Sequence, residues 1–208
     1  MSLVSAADQA RIEEAIRRAE ARTDAEIVVA VLPRAEDHWR FRALASAVIA
    51  IAAAVAYFEL VPWGAEAWGL VLQLPIGVAA WALTGIGPVH RRLFSAAEAD
   101  RAAQGAAFRV FAERGIHRTK HRTGVLVLIA ELEHRAVILG DEGVHARVHD
   151  EGWARHVEHL VRRIREGRTA DGIVEVVTEL EELLAAHFPR SPGDVNELPD
   201  AVVRGGRG

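Results

Sequence analysis

Carboxylates and imidazoles are the side chains through which this chain could do chemistry: 29 Asp and Glu and ten His stand beside no Cys at all. Without Cys, disulfides, thiolate catalysis and Cys-ligated zinc or iron–sulfur centres are excluded. Serine offers little, because Ser95 reads as a helix cap, Ser46 lies in an uncharged run and Ser191 falls in the C-terminal tail. No serine is visibly held beside a His and an acid. Gly140 and Gly143 complete neither a P-loop nor a dinucleotide fingerprint. A divalent cation, or water activated by one, is the chemistry left open. The candidate ligands are Glu26, Asp141, His117, Glu142 and His145. Oxygen donors favour calcium, magnesium or manganese, and imidazole favours zinc or iron. Each residue also has a plain structural role: Asp141 beside Gly140 suits an ordinary turn, and Glu26 suits a strand start paired with Arg122. Arg118, Lys120 and Arg122 near them could steady a phosphate. The pairs His117/His121, His145/His149 and His156/His159 lack a third ligand and read as surface or pH-sensitive residues.

The elements that must position these residues read as α/β. Ser5 caps a helix running to about Arg22, and Glu26–Leu32 is an apolar run of strand length ended by Pro33. Ser95-Ala-Ala-Glu98 is a capping box for a second helix closed by Gly115. Thr123–Ala130 and Arg135–Leu139 are strands close enough to form a hairpin, followed by helices over about 150–166 and 169–188. A helical crossover makes the first two strands parallel. Their starts then share one sheet edge, and the hairpin returns Gly140 and Asp141 to that same edge. Glu131, Glu133, His134 and Arg135 belong to the opposite edge, from which the chain leaves after Pro33.

Composition places the chain among folded proteins, with 50% apolar and 26% charged residues. A net charge of −4 gives no reason to expect nucleic acid. The apolar residues are unevenly spread. Residues 43–58 and 67–87 carry no charge, and they are joined through Glu59 and Pro62-Trp63-Gly64. About 20 helical residues span a bilayer core, so a two-helix transmembrane hairpin over 43–87 is expected, with Trp63 and Trp68 at interfacial depth. Asp8, Glu13, Glu14, Glu20 and Asp24 precede the first run, which is unlike a signal peptide. Arg34, Arg40 and Arg42 before the runs, and Arg91 and Arg92 after them, place both flanks in the cytoplasm.

The order of Thr23-Asp-Ala-Glu-Ile-Val-Val29, Arg122-Thr-Gly-Val-Leu-Val-Leu128 and Leu139-Gly-Asp-Glu-Gly143 resembles the TPM-domain family, often labelled TPM phosphatases. Ile116-His-Arg-Thr119, Gly143-Val-His-Ala146, Trp153, and Phe188-Pro189 with Asn196-Glu-Leu-Pro-Asp200 resemble its bacterial membrane branch, over roughly residues 5–200. The resemblance implies a small mixed sheet flanked by helices and divalent-cation binding, calcium in some members. It also implies either acid-phosphatase activity or a role as an accessory factor for membrane complexes. The expected organisation is a discontinuous α/β domain (1–35 and 93–190), a transmembrane hairpin (43–87) and a loose tail (191–208). The expected protein is a two-pass inner (plasma) membrane protein with both soluble parts cytoplasmic. It would be an accessory module for membrane protein assembly or maintenance that responds to a divalent cation. The alternative is a metal-dependent acid phosphatase tethered to the membrane.

Overall fold

The computed structural model describes residues 4–61, 66–148, 150–192 and 196–205. They form two compact units: one takes the chain up to Glu36 and from Asp100 onward, the other is Asp37–Ala99.

In chain order, α1 (Ala6–Glu20) opens at Ser5, whose hydroxyl accepts the Asp8 N–H while the Asp8 carboxylate accepts the Ser5 N–H. Next come β1 (Glu26–Leu32), α2 (Trp39–Leu60), α3 (Glu66–Thr84) and the short α4 (Gly87–His90). α5 (Ala96–Glu113) starts from the expected Ser95–Glu98 capping box, and Gly115 follows it in the left-handed conformation at φ 65°. β2 (Gly124–Ala130), β3 (Arg135–Gly140), α6 (Glu142–His145), α7 (Asp150–Arg165), α8 (Thr169–His187) and β4 (Val203–Arg204) complete the order.

The sheet runs β3-β2-β1-β4, with β1 parallel to both β2 and β4 and with β2–β3 antiparallel. Successive side chains on a strand point to opposite faces, and the sequence uses both. Ile27, Val29 and Val31, with Val125, Val127 and Ile129, pack against α1, α7 and α8. Val28, Ala30, Leu126 and Leu128 meet Ala102, Ala103, Ala106 and Ala107 of α5 on the other face. Burial on both faces is why these two strands read as continuous apolar runs.

The C-terminal segment differs from expectation. Residues 196–205 are not loose: Val202 is 7% exposed, and Val203 and Arg204 pair with Ala30 and Val31 as the fourth strand. Backbone N–H groups of this segment are taken up by carboxylates of α1 and β1, which composition could not reveal.

In the second unit α2 and α3 lie side by side, with Ser46 Oγ 3.3 Å from Thr84 Oγ1. α2 is 22 residues long with mean hydropathy 2.0 over its most apolar stretch, only 6% of it buried. It is long and apolar enough to cross a membrane. The second run departs from a straight span: the chain bends by 87° between Trp68–Thr84 and Gly87–Leu93. Ile86 is extended at ψ 124°, and Pro88 sits in the first turn of α4, where its missing N–H leaves no bond unmade. A second crossing therefore exists only if the bent pair counts as one. Trp68 is exposed, while Trp63 and the Pro62–Gly64 turn lie outside the described residues.

Candidate functional site

The parallel register places Glu26 opposite Gly124, and the hairpin places Gly140 opposite Val125. Glu26 and Asp141 therefore flank Gly124, with Glu26 N–H donating to Thr123 O (3.3 Å) and Asp141 N–H to Gly124 O (2.8 Å). A Cβ on Gly124 would lie 2.4 Å from Ile116 O, and one on Gly143 would lie 2.7 Å from Arg122 O. The Arg122-Thr-Gly and Asp-Glu-Gly segments approach too closely for any larger residue. Thr119 Oγ1 accepts the Thr123 N–H, and Thr123 Oγ1 donates to Asp24 O, fixing the crossover end against the start of β1.

Although the edge forms as expected, its residues take separate partners. Glu26 is 5% exposed, and its two oxygens accept the Glu197 N–H (3.0 Å) and the Leu198 N–H (3.3 Å). Asp141 caps α6: Oδ1 accepts the Glu142 N–H at 2.8 Å and stands 3.8 Å from Arg122 Nη1. Its buried Oδ2 has no hydrogen-bond partner. His117 lies in the turn Ile116–Arg118 with its ring stacked on Phe111, centroids 6.5 Å apart. Glu142 and His145 are exposed on α6, and His149 lies outside the described residues.

A divalent cation, which the family resemblance implies, does not fit this arrangement. Both Glu26 oxygens serve the C-terminal segment, and a guanidinium already faces Asp141. Among the described residues no group of three His, Asp or Glu side chains is arranged so that it could hold a metal ion. One free Asp141 oxygen is a single ligand where calcium takes about six to eight.

Two groups were missed in the sequence. The first is acidic and lies beside Glu26. Glu20 is 7% exposed and accepts the Ile27 N–H at 2.9 Å. Burial, with Glu26 and Asp200 adding like charge, pushes its carboxyl up to about 8. Asn196 bridges Glu20 and Asp200, and Glu13 accepts the Val202 N–H at 3.4 Å. Nothing in the residue types of Asn196-Glu-Leu-Pro-Asp200 announces that it docks on two glutamates, Glu20 and Glu26. The second group joins α7 to α8. His156, expected to be a surface or pH-sensitive residue, is not at the surface: it is 2% exposed with Nδ1 2.5 Å from Glu179. His159 faces Glu179 through Nδ1 and Glu175 through Nε2, both at 2.9 Å, and Arg163 grips Glu175 with two hydrogen bonds. The signal was present: His156 shares a helix face with Leu160 and Ile164, four and eight residues on.

Residues 93–183 match the sequence pattern of the TPM domain. A solved NMR structure, the BA42 protein of the psychrophilic bacterium Bizionia argentinensis sp. nov., is similar over 97% of this chain and 95% of its own, with a TM-score of 0.61 and 20% identity. At that identity the likeness concerns the fold. No curated protein matches the sequence.

Proposed function

We propose, starting from the TPM domain that residues 93–183 carry, that this chain is a membrane-anchored accessory module. Its α/β unit works at the cytoplasmic face of the inner (plasma) membrane by binding membrane protein complexes. The observation that supports anchoring is α2: its most apolar stretch is 6% buried, and a helix apolar all round needs lipid about it. Orientation follows from Arg40, Arg42, Arg91 and Arg92 at one end of the helical unit, against Glu59 and Glu66 near the other. Binding is favoured over turnover because the partners of Glu26 are backbone N–H groups, and Asp141 serves as a helix cap beside an arginine. Among the described residues no serine hydroxyl is hydrogen-bonded to either carboxylate.

Cysteine scanning of the Cys-free chain tests the anchor. A Gly64→Cys variant is expected to react with an impermeant thiol reagent on intact cells, and Arg168→Cys only after permeabilisation. Labelling of Arg168→Cys from outside would reverse the orientation, and release of the parent by carbonate would remove the anchor. Calcium, magnesium, manganese and zinc are each expected to leave the melting temperature of the purified chain unchanged. Hydrolysis of a phosphate ester by the pure protein, abolished in Asp141→Asn, would replace the accessory reading with the phosphatase one.

A further inference from the structure

The end of the helical unit that carries both its entry and its exit is a built surface. His38 stacks on Phe94 with centroids 4.2 Å apart, and His90 stands edge-on to both at 6.0 and 5.9 Å. This aromatic cluster ties the residue before α2 to the residue after the Arg91–Leu93 turn. Arg40, two residues beyond His38, and Arg92, two residues before Phe94, are thereby held at one end, and both are exposed. Arg42 forms the floor between them. Its guanidinium lies 4.2 Å over the Trp81 ring and donates to Trp81 O at 3.0 Å. Gly85 leaves room for it, since a Cβ there would stand 2.6 Å from Arg42 Nη2.

Around these cations the surface is apolar. Trp39 is 57% exposed and Ile86 52%. Tryptophan beside arginine is the pairing found at headgroup depth, where a ring sits among the upper chains and a guanidinium reaches the phosphates. Gly87–Leu93 runs at 87° to the helix before it. The charge is uneven: in residues 37–58 and 85–99 Arg40, Arg42, Arg91 and Arg92 stand against two acids, Asp37 and Glu98, and Glu98 is engaged in capping Ser95.

We propose that this basic end binds the phosphate groups of anionic phospholipids, with Arg40 and Arg92 as the reaching cations and Arg42, packed on Trp81, as the fixed base. Arginine suits the task because its planar fork engages a phosphate with two parallel hydrogen bonds. The proposal rests on the membrane reading above, and it adds a preference among lipids that anchoring alone does not require.

The test uses the full chain, in a Trp63→Phe/Trp68→Phe background, reconstituted in phosphatidylcholine vesicles. Quenching of the remaining tryptophans by brominated phosphatidylglycerol is compared with quenching by brominated phosphatidylcholine. The anionic lipid is expected to win severalfold, and Arg40→Gln/Arg92→Gln to reduce the preference by about fivefold per arginine, the equivalent of about 1 kcal/mol each. Arg162→Gln/Arg165→Gln, which removes the same charge from α7, is expected to leave it intact. Equal quenching by both lipids overturns the headgroup proposal while leaving the anchor standing. An unchanged preference in the Arg40/Arg92 variant overturns the assignment to these residues. No quenching by either lipid overturns the anchor, and the proposal with it.

Discussion

α8 and α2 are helices of similar length, 19 and 22 residues, with opposite burial. In α8 the residues Ile173, Val176, Val177, Leu180 and Leu184 are fully buried against the sheet layer. In α2 the apolar residues Leu44, Val48, Ile51, Val55 and Phe58 are more than half exposed, and the one buried residue is Ser46. The two helices are inverted copies of one rule. Each hides from its surroundings what those surroundings solvate poorly. Around α8 the hidden material is hydrocarbon, which implies water outside. Around α2 it is a hydroxyl, the pattern that the lipid surroundings proposed above require.

The largest effect should come from cutting into the α8 side of this contrast. Leu180→Ala leaves a cavity in a close-packed layer and is expected to cost about 2–5 kcal/mol in chemical denaturation. Val55→Ala in α2 should leave the denaturation midpoint of the α/β unit within error. Equal losses from the two would mean that α2 is an ordinary core helix. A charge reverses the vulnerability: Ile51→Arg, at a position 64% exposed in α2, is expected to cost about 2.5–3.5 kcal/mol of insertion. Glycosylation-tag or carbonate-extraction assays would read this as a shift of the chain out of the membrane. An Ile51→Arg chain that inserts like the parent would break the lipid side of the comparison.

How much of this was legible follows from the same contrast. Apolar burial writes itself into sequence as period and run length, so β1 and β2 could be read directly, as could the cap at Ser5 and the capping box at Ser95. The parallel register that brings Glu26 and Asp141 to one edge followed from connection handedness. Backbone-mediated contacts leave no such trace. The C-terminal segment is held by Glu13 and Glu26 through N–H groups that every residue but proline possesses, and by only two strand pairs. Nothing set Glu20 apart from the other acids before the first uncharged run, because its burial depends on where residues 196–200 settle. The bend after Thr84 was likewise hidden in an uncharged run, although Pro88 marked a place where a straight helix could end.

Glu20 gives a smaller effect with a definite sign. Its folded carboxyl titrates near 8, against 4.5 as the ordinary value. The folded state therefore keeps a proton that the unfolded chain has lost. Stability from this group is complete below about pH 4.5 and drains away as pH rises toward 8. Glu20→Gln keeps the amide-accepting oxygen for Ile27 without the charge. It is expected to flatten the fall between pH 5 and pH 9 and to gain on the parent at the alkaline end by on the order of a few kcal/mol. Urea midpoints at pH 5, 7 and 9 supply the check. Parallel pH curves for the two proteins would mean that Glu20 is solvated and that the C-terminal segment does not bury it.

The smallest effect addresses the polar contact inside the helical pair. Thr23, 1% exposed in the α/β unit, donates to Phe188 O at 2.6 Å and accepts the Ala25 N–H at 3.2 Å. Thr23→Val strands the Ala25 N–H away from water, while Phe188 O keeps the Asp24 N–H at 3.0 Å, and should cost about 1–3 kcal/mol. Ser46 is also buried, against Thr84 at 3.3 Å, yet Thr84 keeps a second bond to Trp81 O at 3.1 Å when Ser46 is removed. Helices separated within a bilayer also find alternative partners for their hydroxyls, and measured interhelical bonds there average about 0.6 kcal/mol. Ser46→Ala is therefore expected to cost about that much in a helix-separation assay in bicelles. A loss as large as that of Thr23→Val would show that the hydroxyl pair, not the packing of small side chains between α2 and α3, is what holds the two helices together. No loss at all would make the buried serine incidental, and the inversion between α8 and α2 would rest on apolar exposure alone.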